Sequence, residues 1–76
     1  MCLAIPGKII SLDKTWADVS VMGVSSKVNV QLIDNPSIDD YVLIHAGCAI
    51  QKISSEYSLF LQDVLSEFIK EDSPNG

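Results

Sequence analysis

The stretch WADVSVMG at residues 16–23 decides the fold of this 76-residue chain. Its apolar and polar side chains alternate, so that Ala17, Val19 and Val21 share one face. A period of two is typical of a strand with one buried face. The stretch ends with Met22-Gly23, a pair that favours a turn. We therefore predict a strand and a turn here, with a second strand of the same kind to follow.

Four more short strands are predicted around this stretch, over residues 7–13, 26–33, 41–46 and 48–53. In the second of these, Val28, Val30 and Leu32 alternate with polar residues and are expected to face the core. No helical crossover separates the strands, so a parallel sheet is not expected. Short strands at this spacing predict a mainly β fold, built as a small barrel or closed sheet of about five strands.

The hydrophobic period changes at Ser54, after which apolar residues recur at helical spacing. They are Tyr57, Phe60, Leu61, Val64, Leu65, Phe68 and Ile69. This stripe predicts an amphipathic α-helix over about residues 55–71, with Ser54 or Ser55 as its N-cap. We expect one domain over residues 1–76, with the barrel in 1–53 and a frayed tail in 72–76. The stripe is expected to cover the barrel; the alternative is that part of it docks a partner helix.

Charge and hydropathy exclude several classes of function. Ten acidic residues against five lysines, with no arginine, give a net charge of −5. Nucleic-acid binders need basic side chains to neutralise phosphate, so this class is disfavoured. The N-terminus lacks the basic region of a signal peptide, and no apolar run approaches the roughly 18 residues of a membrane span. We expect a cytoplasmic protein that binds neither nucleic acid nor membrane.

The two cysteines are too few for a disulfide scaffold and do not form a CxxC pair. Removal of the initiator methionine would leave Cys2 with its thiol beside a free α-amino group, which favours the thiolate. A thiolate is a nucleophile and a soft ligand for iron, copper(I) or zinc. The plainer interpretation is an ordinary small apolar residue. Cys48, between Gly47 and Ala49, has small apolar neighbours that predict a buried and inert thiol.

His45 is the only histidine of the chain. In the predicted strand it shares a face with Tyr41 and Leu43, while the wholly apolar face points into the core. His45 is therefore expected on a semi-polar outer face that a helix or a partner covers. Neutral imidazole is a common metal ligand, although a single histidine on a strand is more often structural.

Two separate segments carry a resemblance to a known family. The opening MCLAIPGKI at residues 1–9 and the segment DYVLIHAG at residues 40–47, followed by Ala49-Ile50, closely resemble the two hallmarks of the HypC/HupF family of nickel–iron hydrogenase maturation chaperones. The resemblance covers nearly the whole chain. Two positions depart from the family pattern: Asp39 stands where a glycine is general, and Cys48 stands where an aromatic residue is more usual.

The resemblance implies an OB-like β-barrel with a C-terminal helix, acting as a non-catalytic carrier. It implies a HypD-like iron–sulfur protein and the hydrogenase large-subunit precursor as partners. The cargo would be iron with cyanide and carbon monoxide ligands, held transiently and without a tightly bound cofactor. Cys2 and His45 are the metal-contacting residues that the resemblance implies. The partner-binding set is Cys2, Leu3, Ala4, Ile5, Pro6, Gly7 and His45.

Two other functions are weighed against the carrier. A docking adapter without metal contact predicts that Cys2→Ser leaves partner binding and maturation largely unaffected. A thiol redox protein would use Cys2 and Cys48, but these cysteines are 46 residues apart and do not form a CxxC motif.

Overall fold

The computed structural model describes residues 4–71 of the chain, and side chains as far as Glu67. The elements are β1 (Ile5–Asp13), β2 (Trp16–Val21), β3 (Val24–Asn29), β4 (Tyr41–His45), β5 (Cys48–Ile53) and α1 (Ser55–Glu71). The predicted barrel with a C-terminal helix is confirmed. Residues 1–3 and the predicted frayed tail at 72–76 lie outside the described residues.

The five strands close into a barrel in the order β1-β2-β3-β5-β4. Four of the neighbouring pairs are antiparallel, as expected. The β3–β5 pair is parallel and consists of the single register pair Asn29 and Cys48. The parallel pair follows from the odd number of strands. In a closed ring of five strands the direction cannot alternate all the way round, so one neighbouring pair must run parallel.

The alternation of β2 is confirmed by burial. Ala17 is 2% exposed and Val19 is fully buried, while Trp16 on the opposite face is 46% exposed. The other buried apolar side chains come from the remaining strands and from the segment after β3: Ile9, Val28, Val30, Ile33, Val42, Ile44 and Ala49. Since most of these residues are β-branched, they suit the pleated, half-buried surface of a small sheet.

Replacing Ile9 by alanine tests this core directly. Ile9 is fully buried, and truncating such a side chain removes transfer free energy and leaves a cavity. We expect the free energy of unfolding to fall by about 2–5 kcal/mol. The control is Ile10→Ala, since Ile10 is 46% exposed and lies at the irregularity in the β1–β2 register. Urea unfolding should separate the two variants clearly, and equal losses would show that the core is assigned wrongly.

The predicted strand over residues 26–33 is too long, because β3 ends at Asn29. There the Asn29 side-chain Oδ1 accepts a hydrogen bond from Gln31 N at 2.9 Å, which turns the chain out of the sheet. A second turn follows, in which Ile33 N donates to Val30 O at 3.0 Å. The strand alternation therefore stops: Leu32 is 67% exposed, against the prediction, and Ile33 is buried in its place.

Asp39 has a φ of 77°. This is the left-handed region, which glycine adopts without steric cost. The backbone there is held by a hydrogen bond from Asp39 N to Ile9 O at 2.8 Å. The Asp39 carboxylate lies 3.5 Å from Lys8 Nζ. This chain thus places an aspartate at a left-handed backbone position.

The helix α1 begins as predicted, with Ser54 Oγ accepting a hydrogen bond from Tyr57 N at 3.0 Å. It packs on β1 and β4. The apolar stripe covers the barrel only in part. Leu61 and Leu65 are half-buried, whereas Tyr57, Phe60 and Val64 are 47%, 60% and 49% exposed. Within residues 4–71, no helix combines the length and apolar content needed to cross a bilayer.

Candidate functional site

The two faces of β1 can be told apart at Gly7. A Cβ on Gly7 would lie 2.8 Å from Ile44 Cδ1 and closer still to Val19 Cγ1, so this position points into the core. Pro6 and Lys8 therefore face outwards. Lys8 Nζ lies 5.9 Å from the centroid of the Tyr41 ring, which places both residues on the same outer face.

His45 lies on this outer face, as predicted. It ends β4 and is half-buried, and the alternation along the strand places it on the same side as Tyr41 and Leu43. The inward positions of the strand are Val42, which is fully buried, and Ile44, which is 8% exposed. The helix α1 packs against β1 and β4, so it supplies part of the cover that the sequence predicted for this face.

A two-residue turn joins His45 to Cys48. Ala46 and Gly47 have φ values of 53° and 80°, the paired left-handed conformation of a tight hairpin turn. His45 and Cys48 are consequently direct register partners. Residues opposed in this way have Cβ atoms about 4.5–5.5 Å apart and share a face. The imidazole and the thiol therefore stand side by side on the outer face.

This pairing corrects the expectation of a buried Cys48. The Cys48 side chain is half-buried and its thiol is free. The inward position belongs to its neighbour Ala49, which is fully buried. The signal that places Cys48 was present in the sequence: two predicted strands separated only by Ala46-Gly47 indicate a hairpin, and a hairpin sets the register of the residues that flank its turn.

The N-terminal strand enters the barrel beside His45. Ile5 is the register partner of Ile44, and Pro6 is that of Leu43. One step further, Ala4 comes opposite His45 and is half-buried. Cys2 and Leu3 lie outside the described residues. Chain connectivity puts Cys2 two residues before Ala4, a span of at most about 7 Å.

The predicted partner-binding residues differ in exposure. Ala4, Ile5 and His45 are half-buried. Pro6 is fully buried although it faces outwards, and α1 packs on its strand. Gly7 is buried with its Cα facing the core. Pro6 and Gly7 thus serve packing, and the accessible part of the predicted set lies nearer His45.

The described ion pairs near β4 gather at the end of that strand opposite His45. Lys52 Nζ lies 3.2 Å from Asp40 Oδ2 and donates a hydrogen bond to Asn35 O at 2.8 Å. The Asp40 carboxylate also accepts a hydrogen bond from Ser37 N at 2.8 Å. Partly exposed pairs of this kind contribute about 0–1 kcal/mol each. They fix the loop that leads into β4 rather than the surroundings of the histidine.

The sequence did not reveal how the helix meets the barrel. Ser58 is fully buried, and its Oγ accepts a hydrogen bond from Gln62 Nε2 at 3.0 Å. On the flank that faces away from the barrel, the rings of Tyr57 and Phe60 stack with centroids 6.4 Å apart. The contact face is therefore rotated from the apolar stripe, and part of that stripe stays exposed.

Residues 1–64 match the HupF/HypC family, and the chain belongs to that family. Its similar relatives include the hydrogenase maturation factor HypC of Azotobacter chroococcum, 43% identical over 54 residues, which are 70% of this chain and 64% of that protein. The match therefore spans just under two thirds of that relative.

Two further relatives bear the same name. The hydrogenase maturation factor HypC of Rhizobium leguminosarum bv. viciae is 42% identical over 57 residues, covering 74% of this chain and 76% of that protein. The HypC of Helicobacter hepaticus is 40% identical over 58 residues, covering 74% of this chain and 67% of that protein. The family expected from the two hallmark segments is thus confirmed.

Proposed function

We propose that this chain is a hydrogenase maturation chaperone that acts in the cytoplasm as a carrier and not as an enzyme. It helps to assemble an iron centre with two cyanide ligands and one carbon monoxide ligand, Fe(CN)2CO. It then delivers this centre to the precursor of the nickel–iron hydrogenase large subunit. The hydrogenase maturation role is supported by family membership and by the names of the relatives.

One observation carries the finer proposal. Ile5 pairs with Ile44, so the N-terminal segment runs towards the outward-facing His45 and Ala4 comes opposite it. Cys2 precedes Ala4 by two residues in the chain, so we infer that its thiolate acts beside His45, the only histidine of the chain. A thiolate and an imidazole are suitable ligands for iron.

The chemistry of carriage follows from an incomplete donor set. Iron is the cargo here, and Cys2 and His45 supply one sulfur and one nitrogen. A partner or the diatomic ligands must fill the other positions, so the iron stays exchangeable. Such a site favours handover from one protein to the next over storage. Tight, stoichiometric iron retention by the isolated chain, with every ligand supplied by protein, would contradict this mechanism.

Two partners are required by this sequence of events. We infer that the chain first pairs with a HypD-like iron–sulfur protein, where the iron centre is assembled. It then pairs with the large-subunit precursor, which receives that centre. The contact surface is the N-terminal segment together with His45, since Ala4 and Ile5 are partly accessible while Pro6 is buried.

A docking adapter without metal contact is the second candidate. The exposed helix side chains Tyr57, Phe60 and Val64 favour it, because an apolar helix flank of this kind suits a partner's groove. The adapter needs no thiol, so it predicts that Cys2→Ser leaves partner binding and maturation largely unaffected. A substitution of Cys2 therefore distinguishes the carrier from the docking adapter.

Capture from a maturing cell tests the proposal. The chain, starting with its native N-terminus, is purified by a C-terminal tag from cells with and without the HypD-like protein. We expect that protein and the hydrogenase precursor to be captured in separate complexes. We also expect iron above the content of the partner purified alone. Failure to capture either protein would contradict the proposed function.

His45→Gln should separate metal contact from partner contact. Glutamine keeps a polar side chain of similar reach but lacks the imidazole ligand. We expect iron retention in the captured complex to fall about tenfold or more, while the amount of partner captured changes little. The control is Gln51→Ala, since Gln51 is exposed on the same outer face, opposite Leu43. Unchanged iron in His45→Gln would remove His45 from the metal site.

A further inference from the structure

We propose that Cys48 is a further metal ligand, and that its thiolate and the His45 imidazole form a two-donor site for a thiophilic divalent cation. The inference rests on the proposed function only for the identity of the cargo, iron. The donor pair itself consists of described residues.

The register of the β4–β5 hairpin brings the two donors together. His45 and Cys48 are direct partners across the β4–β5 hairpin, so both side chains leave the sheet on the same face. Their Cβ atoms stand about 4.5–5.5 Å apart in such a pair. Sulfur and nitrogen ligands of one tetrahedral ion lie about 3.5 Å apart, given metal–ligand distances near 2.3 and 2.0 Å. The hairpin pair therefore allows both donors to reach one ion.

The turn between the two donors is held rigidly. The turn is tight, with Ala46 and Gly47 both in left-handed conformations. It is also fixed to the neighbouring strand, since Asn29 N donates a hydrogen bond to Gly47 O at 2.9 Å and Asn29 is the register partner of Cys48. Donors on strands held from both sides lose little freedom when they bind, which favours a metal site.

Both donors are accessible from the outer face of the barrel. His45 and Cys48 are both half-buried, so an ion can reach them from the outer face while the barrel wall shields one side. Within the described residues, no three side chains of the types His, Cys, Asp and Glu gather at one point. His45 and Cys48 supply one nitrogen and one sulfur, which leaves the site short of the four ligands of a closed site.

The binding step changes no oxidation state. The Cys48 thiol releases its proton to solvent as the metal–sulfur bond forms, and the neutral imidazole of His45 donates a nitrogen lone pair. Water or a partner's ligand occupies the remaining positions. Cys48 therefore strengthens the hold on the cargo without closing the site, so the metal remains transferable.

Cobalt(II) is the probe for this site, because thiolate-to-cobalt charge-transfer absorption reports sulfur ligation. The full chain with its native start is titrated without oxygen, as wild type and as Cys48→Ser, His45→Gln and Cys2→Ser. We expect a charge-transfer band in the wild type. Cys48→Ser should lose most of this band and bind cobalt about tenfold or more weakly. Cys48→Val, which has no donor, should behave like Cys48→Ser.

A relocated thiol provides the matched control. Cys48→Ser combined with Ser25→Cys keeps the number of thiols, since Ser25 is exposed on β3 and pairs with Ser20 away from the hairpin. This double variant should bind cobalt as weakly as Cys48→Ser. Thermal unfolding of each apo-protein shows whether the fold is kept.

The outcomes separate this inference from the proposed function. Unchanged cobalt affinity and band intensity in Cys48→Ser would overturn the inference, even if Cys2 is essential for maturation. Restored binding in the relocated-thiol variant would overturn it too. If Cys48→Ser and His45→Gln both weaken cobalt binding while Cys2→Ala matures hydrogenase normally, the donor pair stands and the proposed carrier mechanism fails.

Discussion

Hydrogenase maturation should be lost when Cys2 is replaced by alanine, with no loss of folding. The described strands and core are built from residue Ile5 onwards, so removing the Cys2 thiol takes away the proposed ligand and no described core contact. We expect hydrogenase activity in cells that depend on this chain to fall to the level of the deletion strain. Circular dichroism and thermal unfolding of the purified variant should match the wild type.

The control for this variant is Cys48→Ala, which removes a thiol from the same chain and leaves Cys2 in place. We expect reduced but measurable maturation, because in the proposed mechanism Cys48 adds to the ligands that Cys2 and His45 supply. Global unfolding of Cys2→Ala would instead favour a buried structural cysteine. Full maturation with Cys2→Ser would support the docking adapter.

Replacing Gly7 by alanine should cost most of the stability of the barrel. The added Cβ would lie 2.8 Å from Ile44 Cδ1, 3.2 Å from Val21 Cγ2 and closer still to Val19 Cγ1. Overpacking of a core costs about 1–3 kcal/mol or more, and three contacts place this variant at the upper end. A domain of this size has only about 3–5 kcal/mol in total. We expect a fall in melting temperature of about 15 °C or more.

Two variants show whether space at Gly7 is the cause. Gly23→Ala is the matched control, because a Cβ there meets nothing within 4 Å and only the φ of 88° opposes it, at about 1–2 kcal/mol. Val19→Ala removes the closest atom, so in a double-mutant cycle it should reduce the cost of Gly7→Ala. Additive effects in that cycle would contradict the steric explanation.

The barrel could be predicted because the sequence patterns that define its strands are local. Alternation defined β2 and its buried residues Ala17 and Val19, and the change of period at Ser54 defined the helix with its N-cap. The end of β3 was not predictable from alternation, because the Asn29 side chain competes with the sheet for a backbone N–H. The parallel closure follows from the number of strands, which no single segment reveals.

The candidate site was predictable in its residue types and only partly in its arrangement. The face of His45 follows from the apolar face of β4, so the sequence was sufficient there. The position of Cys48 depends on register across the hairpin, which is a relation between two strands that neither strand shows alone. The exposed helix flank at Tyr57 and Phe60 depends on how α1 is rotated, and the buried Ser58 shows that tertiary packing decides this rotation.

The most direct test of the carrier mechanism is infrared spectroscopy of the complex captured with the HypD-like protein. The wild type, with its native start, is compared with Cys2→Ala at equal amounts of captured partner. The proposed function predicts cyanide and carbon monoxide bands in the wild-type complex and their loss in the variant. Equal capture of the partner by both forms, with no such bands attributable to this chain, would contradict it and leave an adapter whose cysteine is incidental.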